Sequence, residues 1–187
     1  DTIFISLSNI NPKISKNVIN IGISLDSQLN TLEKFIIGQK REKTIIMYPK
    51  NKYEELVDKN IKSLKLKNYK IFKYNTDPKL ITGEIEKLTN YAQRKRNLEN
   101  RKNLLKDKED EKSKKELEKM EQLYTLGNVN FDSVIIIDFG NNLKSVLASL
   151  IFADVDDSKV LFTTVNQWFD ESIFYENSIK NLYYPSV

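Results

Sequence analysis

The feature that most constrains the fold is a regular alternation between short apolar runs and longer stretches with helical periodicity. In residues 27–39, for example, Leu29, Leu32, Phe35 and Ile36 fall on one helical face. Such alternation is typical of an α/β protein, with a doubly wound parallel sheet covered by helices on both faces. The sequence predicts strands at residues 3–7, 18–23, 43–48, 69–74, 133–139, 159–165 and 182–184, and helices at 27–39, 53–66, from 78 onward, 141–152 and 169–179.

One segment, residues 93–121, interrupts this alternation. It contains eleven basic and eight acidic residues, a net charge of +3, and neither glycine nor proline. Its few apolar residues predict a charged helical hairpin inserted into the domain, with a turn between Lys106 and Ser113. A solvated insertion held by charge pairs, a docking arm for another protein, and a weak polyanion site all remain open as its role.

Composition excludes several classes of function. The 187 residues contain no histidine and no cysteine, so Ser-His-Asp and Cys-His catalysis and the usual zinc sites are excluded. The five glycines form no nucleotide-binding loop. A phosphoacceptor receiver domain needs an acidic pair after its first strand, where this chain has Tyr48-Pro49. We therefore predict a protein that is not an enzyme, with no cofactor, no metal ion and no nucleic-acid partner.

Polar and aromatic residues cluster where the predicted strands end, which is where open α/β sheets bind ligands. Each has a structural alternative: the aromatic residues could cover the rim of the core, Asp138 could cap the next helix, and Gly140 could serve only the turn. The candidate ligand-binding residues at these ends are Ser8, Asn9, Tyr48, Asp138, Phe139, Gly140, Thr164 and Trp168.

Several of these segments together resemble a known family. Ile5-Ser6-Leu7-Ser8-Asn9, and residues 43–48 followed by Tyr53, resemble type I periplasmic binding proteins. Residues 131–140, Trp168-Phe169-Asp170 and Tyr183-Tyr184-Pro185 are similar to the penicillin-binding protein activator lipoproteins and their amino-acid-binding relatives. The relatives that bind amino acids often carry Arg-Thr and Asp where residues 22–26 here retain only the Asp.

The resemblance implies an architecture of two lobes with a ligand captured between them. Residues 1–187 would form a single α/β lobe of this larger protein, with the insertion at 93–121, and we expect the chain, which begins at Asp1, to be a piece of it. The resemblance also implies which residues face the cleft: Ser8 and Asn9 from the first-lobe side, and Tyr48, Tyr53, Asp138 and Trp168 from the second.

Two functions follow from this resemblance. The first is a non-catalytic, periplasmic lipoprotein that regulates cell-wall synthesis by binding a peptidoglycan synthase. The alternative is the substrate-binding protein of an ABC transporter, which captures an amino acid or another small polar solute and delivers it to a permease. In both, membrane association would come only through parts absent from this chain.

Overall fold

The computed structural model of the chain describes residues 2–6, 16–166 and 180–186. In this part of the chain the strands are parallel wherever they pair. The strands are β1 (Phe4–Ser6), β2 (Val18–Asn20), β3 (Thr44–Pro49), β4 (Tyr69–Tyr74), β5 (Ser133–Ile136), β6 (Leu161–Thr164) and β7 (Leu182–Tyr183); the helices are α1 (Leu25–Gly38), α2 (Glu54–Ile61), α3 (Pro78–Leu88), α4 (Tyr91–Lys106), α5 (Glu111–Glu121) and α6 (Gly140–Phe152). The predicted α/β class with a parallel sheet is confirmed.

The main sheet has five strands in the order β4-β3-β5-β6-β7. The chain therefore runs outward from β3 to β4, returns to β5 on the other side of β3, and continues to β6 and β7. This reversal between β3 and β5 is a topological switch point, where the connections leave in opposite directions and open a crevice at the carboxyl ends of the strands.

Alternate residues of the central strands enter two separate cores, one on each face of the sheet. Ile45 and Met47 pack with helices α3 and α6, whereas Ile46 and Tyr48 pack with α1 and α2. Every residue of β3 and of β5 is buried, as expected for strands covered by helices on both sides. This explains why residues 133–139 form a nearly uninterrupted apolar run in the sequence.

Local signals in the sequence determine the helix starts. Asp77 caps α3 by accepting a hydrogen bond from the Lys79 amide at 2.9 Å, and Pro78 occupies the first helical position. Ser24 caps α1 in the same way through the Ser27 amide. The structure starts α1 two residues before the predicted start, and ends α2 at Ile61 rather than at residue 66.

The interruption at residues 93–121 consists of two helices, α4 and α5, joined by residues 107–110. The predicted turn between Lys106 and Ser113 is confirmed. A small apolar cluster of Leu98, Leu105 and Met120 lies between the two helices, and Arg101 forms an ion pair with Glu116 at 2.6 Å. Both helices lie in the connection from β4 to β5.

Strands β1 and β2 form a separate two-stranded parallel sheet. The resemblance implied that the first strand belongs to the other lobe, whereas the second strand was not distinguished from those of the main sheet. Their large apolar side chains are mostly exposed, including Phe4 at 61%, Ile5 at 66% and Ile19 at 51%.

Candidate functional site

A cavity of about 310 Å³ lies at the switch point, at the carboxyl ends of β3, β5 and β6. It occupies the position where open α/β sheets bind ligands, and its volume lies at the lower end of the range for small-molecule sites. Most of its lining is apolar or aromatic. The lining residues are Leu25, Gln28, Tyr48, Pro49, Asn51, Tyr53, Leu56, Val57, Ile137, Asp138, Phe139 and Val165.

Asp138 follows β5 and is the buried acidic group of this cavity. Its Oδ2 accepts a hydrogen bond from the Tyr74 hydroxyl at 2.5 Å, and its Oδ1 accepts one from the Phe139 amide at 2.8 Å. Burial raises the pKa of Asp138, and the hydrogen bonds from Tyr74, Phe139 and Asn142 partly oppose that rise. Asp138 therefore stabilises the junction of β4, β5 and α6 as well as lining the cavity.

Tyr48, at the end of β3, belongs to a polar network on the α2 side of the sheet. Its hydroxyl donates to the carboxylate of Asp58, which also accepts from Lys73 at 2.9 Å. Lys73 contacts Glu54 at 2.8 Å as well. Burial, followed by the bond to Asp58, raises the pKa of Tyr48 to about 12. Tyr48 thus remains protonated at neutral pH, and its hydroxyl is held by α2.

Tyr53 and Phe139 are the exposed aromatic side chains of the lining, at 44% and 39%. The backbone amide of Tyr53 donates to Asn51 Oδ1 at 2.9 Å, which fixes the turn into α2. Phe139 is the residue that precedes α6. Among the aromatic lining groups, these two rings are the ones that a ligand entering from solvent would meet first.

Gly140 begins α6 with a φ of 55°, in the left-handed region. A residue with a Cβ is disfavoured there, so glycine satisfies a backbone requirement at this turn. Gly140 does not belong to the lining of the cavity. The backbone conformation of the turn is therefore sufficient to explain a glycine at this position.

The structure brings four of the predicted residues together at the cavity: Tyr48, Tyr53, Asp138 and Phe139. Thr164 lies elsewhere, because it is fully buried in β6 and its hydroxyl donates to the Ile136 carbonyl at 2.8 Å. Ser8, Asn9 and Trp168 lie outside the described residues.

Sequence reasoning did not identify Gln28, a buried polar residue of the lining. Its Nε2 donates to the Ile23 carbonyl at 2.9 Å, and its Oε1 accepts from the Asn166 amide at 2.7 Å. Gln28 therefore joins the start of α1 to the end of β6 beside the cavity. The one available signal was a polar side chain next to Leu29 on the apolar face of a predicted helix.

A larger groove of about 750 Å³ lies at the opposite edge of the sheet, beside the base of the α4–α5 hairpin. Its central group, Arg94, is buried and donates to the carbonyls of Gly127, Ala153 and Asp154 at 2.7–3.0 Å. Because backbone carbonyls of the protein already accept the hydrogen bonds of this guanidinium, we regard the groove as a structural junction. The smaller cavity at the switch point remains the candidate site.

Within the described residues, no group of acidic side chains is arranged to hold a metal ion. None of the helices in that part of the chain is both long enough and apolar enough to cross a membrane. Comparison of the chain with family models, with curated proteins and with solved structures found no match to any of them.

Proposed function

We propose that this chain is the ligand-binding lobe of a non-catalytic, two-lobed, extracytoplasmic protein of the type I periplasmic binding protein kind. The observation that carries the proposal is the cavity at the switch point between β3 and β5, with Tyr48, Tyr53, Asp138 and Phe139 in its lining. A small solute would be held there against the carboxyl ends of the strands, and a second lobe would close over it.

The side chains of the cavity favour binding over catalysis. The described lining contains no serine, threonine, lysine or arginine, and the chain has no cysteine or histidine, so no usual nucleophile–base pair is assembled. The described hydrogen bonds of Gln28 and of Asp138 are all made within the protein. The aromatic and apolar groups therefore supply most of the contact area, and we expect a solute with an apolar or aromatic part.

Asp138 retains a role in orienting this solute. The Asp138 carboxylate accepts hydrogen bonds from Tyr74, Phe139 and Asn142. An N–H or O–H group of the ligand would be oriented toward this carboxylate electrostatically. A cationic group would gain additionally from the negative charge in this buried setting.

The separate β1–β2 sheet favours the presence of a second lobe in the intact protein. Successive residues of a strand point to opposite faces, and Phe4 and Ile5 are both more than 60% exposed. Parallel strands are normally covered on both faces, and two strands alone are marginally stable. A further α/β layer would supply the missing cover.

A ligand screen with site variants tests the receptor proposal. The chain would be titrated with amino acids, short peptides and cell-wall fragments, and its Tm followed; ligand at about 100 times its Kd should raise stability by ~2.7 kcal/mol. Tyr53→Ala and Phe139→Ala should abolish the Tm shift, because they remove the exposed aromatic lining. Tyr124→Ala, which alters an exposed tyrosine outside the cavity, should preserve it. A flat screen, or equal loss in all three variants, would contradict the proposal.

The α4–α5 hairpin favours a second function, regulation of a peptidoglycan synthase by direct contact. The hairpin has its own small core and a 63% exposed Leu104, and its base adjoins the edge of the sheet opposite the cavity. It could thus bind a protein without blocking the cavity. Replacing residues 99–118 by a short turn retains Arg94 and should weaken binding to a purified synthase without unfolding the lobe. Unchanged affinity would exclude the hairpin as the docking element.

A further inference from the structure

A second cavity, of about 470 Å³, lies at the amino ends of β3 and β4, at the edge of the sheet opposite the candidate site. Its charged lining is strongly basic, with Lys40, Arg41, Lys65 and Lys67 against a single acidic residue, Glu42. We call this feature the basic cavity. The other lining residues are Ile37, Thr44, Leu66 and Asn68.

The basic side chains of this cavity are not neutralised by the rest of the described protein. None of the four forms an ion pair with an acidic side chain among the described residues. An adjoining cavity of about 410 Å³ shares Thr44 and Asn68 and adds Lys43 and Lys70. Together the two linings carry a net charge of +5, against +4 for the whole chain.

Arg41 gives the basic cavity a specific recognition group. Its Nη1 donates to the Lys159 carbonyl at 2.9 Å, whereas its buried Nε has no hydrogen-bond partner among the described residues. Nε–H and the adjacent Nη2–H form the edge of a guanidinium that binds carboxylate or phosphate through two parallel hydrogen bonds. A buried N–H without an acceptor is unfavourable, so an oxyanion at this edge would satisfy it.

The positive charge of the basic cavity is larger than the stabilisation of nearby helix ends would explain. Lys40 and Arg41 follow the carboxyl end of α1, where cations interact favourably with the helix dipole. Lys65 and Lys67, however, belong to the segment between α2 and β4, and both are exposed. Two separate segments thus direct basic residues to one concave surface, which the capping of α1 alone does not explain.

We propose that the basic cavity binds a small polyvalent oxyanion, with one phosphate or carboxylate group on the Nε–Nη2 edge of Arg41 and its remaining charge among the lysines. This site goes beyond the function proposed above, because it lies at the opposite edge of the sheet and shares no lining residue with the candidate site.

The test is a titration with pyrophosphate and, separately, with citrate, each at constant ionic strength maintained with sodium chloride. Binding would be followed through the Nε–H signal of Arg41 in ¹⁵N–¹H spectra, identified by its loss in Arg41→Lys. We expect a saturable shift of this signal below about 10 mM ligand. The titrant that saturates it identifies phosphate or carboxylate as the preferred group.

Matched variants separate specific binding from general charge. Arg41→Lys retains the charge but loses the two-pronged edge, and should weaken binding, measured by calorimetry, by ~10-fold. Lys67→Gln, at an exposed position that does not endanger folding, should weaken it as well. Lys112→Gln removes the same charge from α5 and should leave the Kd within about two-fold. No saturable shift with either titrant, or equal effects of Lys67→Gln and Lys112→Gln, would overturn the proposal.

The two sites can also be distinguished from each other. Tyr53→Ala, in the candidate site, should leave pyrophosphate and citrate binding unchanged. If it abolished that binding, the anion would be occupying the candidate site, and the proposal for the basic cavity would be wrong.

Discussion

The carboxyl group of Asp138 connects three elements through hydrogen bonds that the protein itself supplies. Tyr74 reaches it from β4 and the Phe139 amide from the start of α6. The charge nevertheless lies in a buried setting, and burial is the largest influence on its pKa, which is raised. A raised pKa means that the folded state holds this proton more tightly than the unfolded chain does.

This difference predicts how stability depends on pH. Between the ordinary aspartate pKa of 3.8 and the raised folded value, the folded chain binds more protons, so the contribution of Asp138 to stability falls as pH rises. Asp138→Asn removes this dependence. The free energy of unfolding of the variant minus that of the wild type should therefore increase as pH rises through that interval. Above the interval this difference should be constant.

The measurement is urea unfolding of both proteins from pH 4 to pH 8. Asp58, Asp110 and Asp156 have lowered pKa values, so their stabilising contributions are lost below 3.8, outside this interval. They are also present in both proteins and cancel in the comparison. If the difference in free energy of unfolding between the two proteins does not change with pH, the pKa of Asp138 is not raised in the folded state.

Gly140 and Gly83 give opposite predictions for the same substitution. Gly140 has a φ of 55°, so Gly140→Ala should reduce the free energy of unfolding by about 1–2 kcal/mol. Gly83 lies inside α3 with open space where an added Cβ would point, so Gly83→Ala should increase it by about 0.5–1 kcal/mol. Chemical denaturation of the two variants checks both signs, and a stabilising Gly140→Ala would refute the role of backbone conformation.

At the scale of elements, Arg94 joins the α4–α5 hairpin to the lobe through hydrogen bonds, beside Tyr91, which packs against the core and the Phe152 ring. Arg94 is 7% exposed and donates to the Thr125 hydroxyl at 2.8 Å in addition to three carbonyls. These acceptors belong to the segment after α5 and to the loop after α6. Arg94 therefore connects the base of the hairpin to the edge of the sheet.

Replacing Arg94 by Met should destabilise this junction by about 2–4 kcal/mol, because buried acceptors lose a charged donor. Hydrogen exchange should accelerate in α4 and α5 more than in β3 and β5. Arg96→Met is the matched control, because Arg96 lies on the exposed side of the same helix and bonds to Gln93 at its surface. Equal effects of the two substitutions would show that Arg94 is not the anchor.

Elements were predictable where their signals are local. Asp77-Pro78 indicated the start of α3, and the charged, proline-free segment indicated the two hairpin helices. The cavity was predictable only in part, because its polar contacts join distant residues. Tyr74 and Asp138 are 64 positions apart, and Gln28 and Asn166 are 138 apart. Such pairs depend on strand order and register, which no short sequence pattern specifies.

At the scale of the whole molecule, charge and apolar surface are unevenly distributed. The basic cavity lies at the amino ends of β3 and β4, and the candidate site lies at the carboxyl ends of β3, β5 and β6. The base of the hairpin borders the amino ends of β5 and β6. Occupying one of these regions need not obstruct another, so solute capture, anion binding and docking can be tested by separate variants.

The exposed apolar side chains of β1 and β2 predict the behaviour of the chain in solution. Ile3, Phe4, Ile5, Ile19 and Ile21 are each at least 51% exposed. An exposed apolar cluster of this kind promotes association. Without a covering lobe, the chain should self-associate as its concentration rises.

The substitutions Phe4→Thr, Ile5→Thr and Ile19→Thr together should abolish this association, because threonine keeps the strand preference and removes apolar surface. Sedimentation velocity over a range of concentrations would measure it. The control carries Ile37→Thr and Leu104→Thr, which change apolar residues of comparable exposure elsewhere, and it should still associate. If the unmodified chain stays monomeric at every concentration, the β1–β2 sheet does not require a cover, and the strongest structural support for a second lobe is lost.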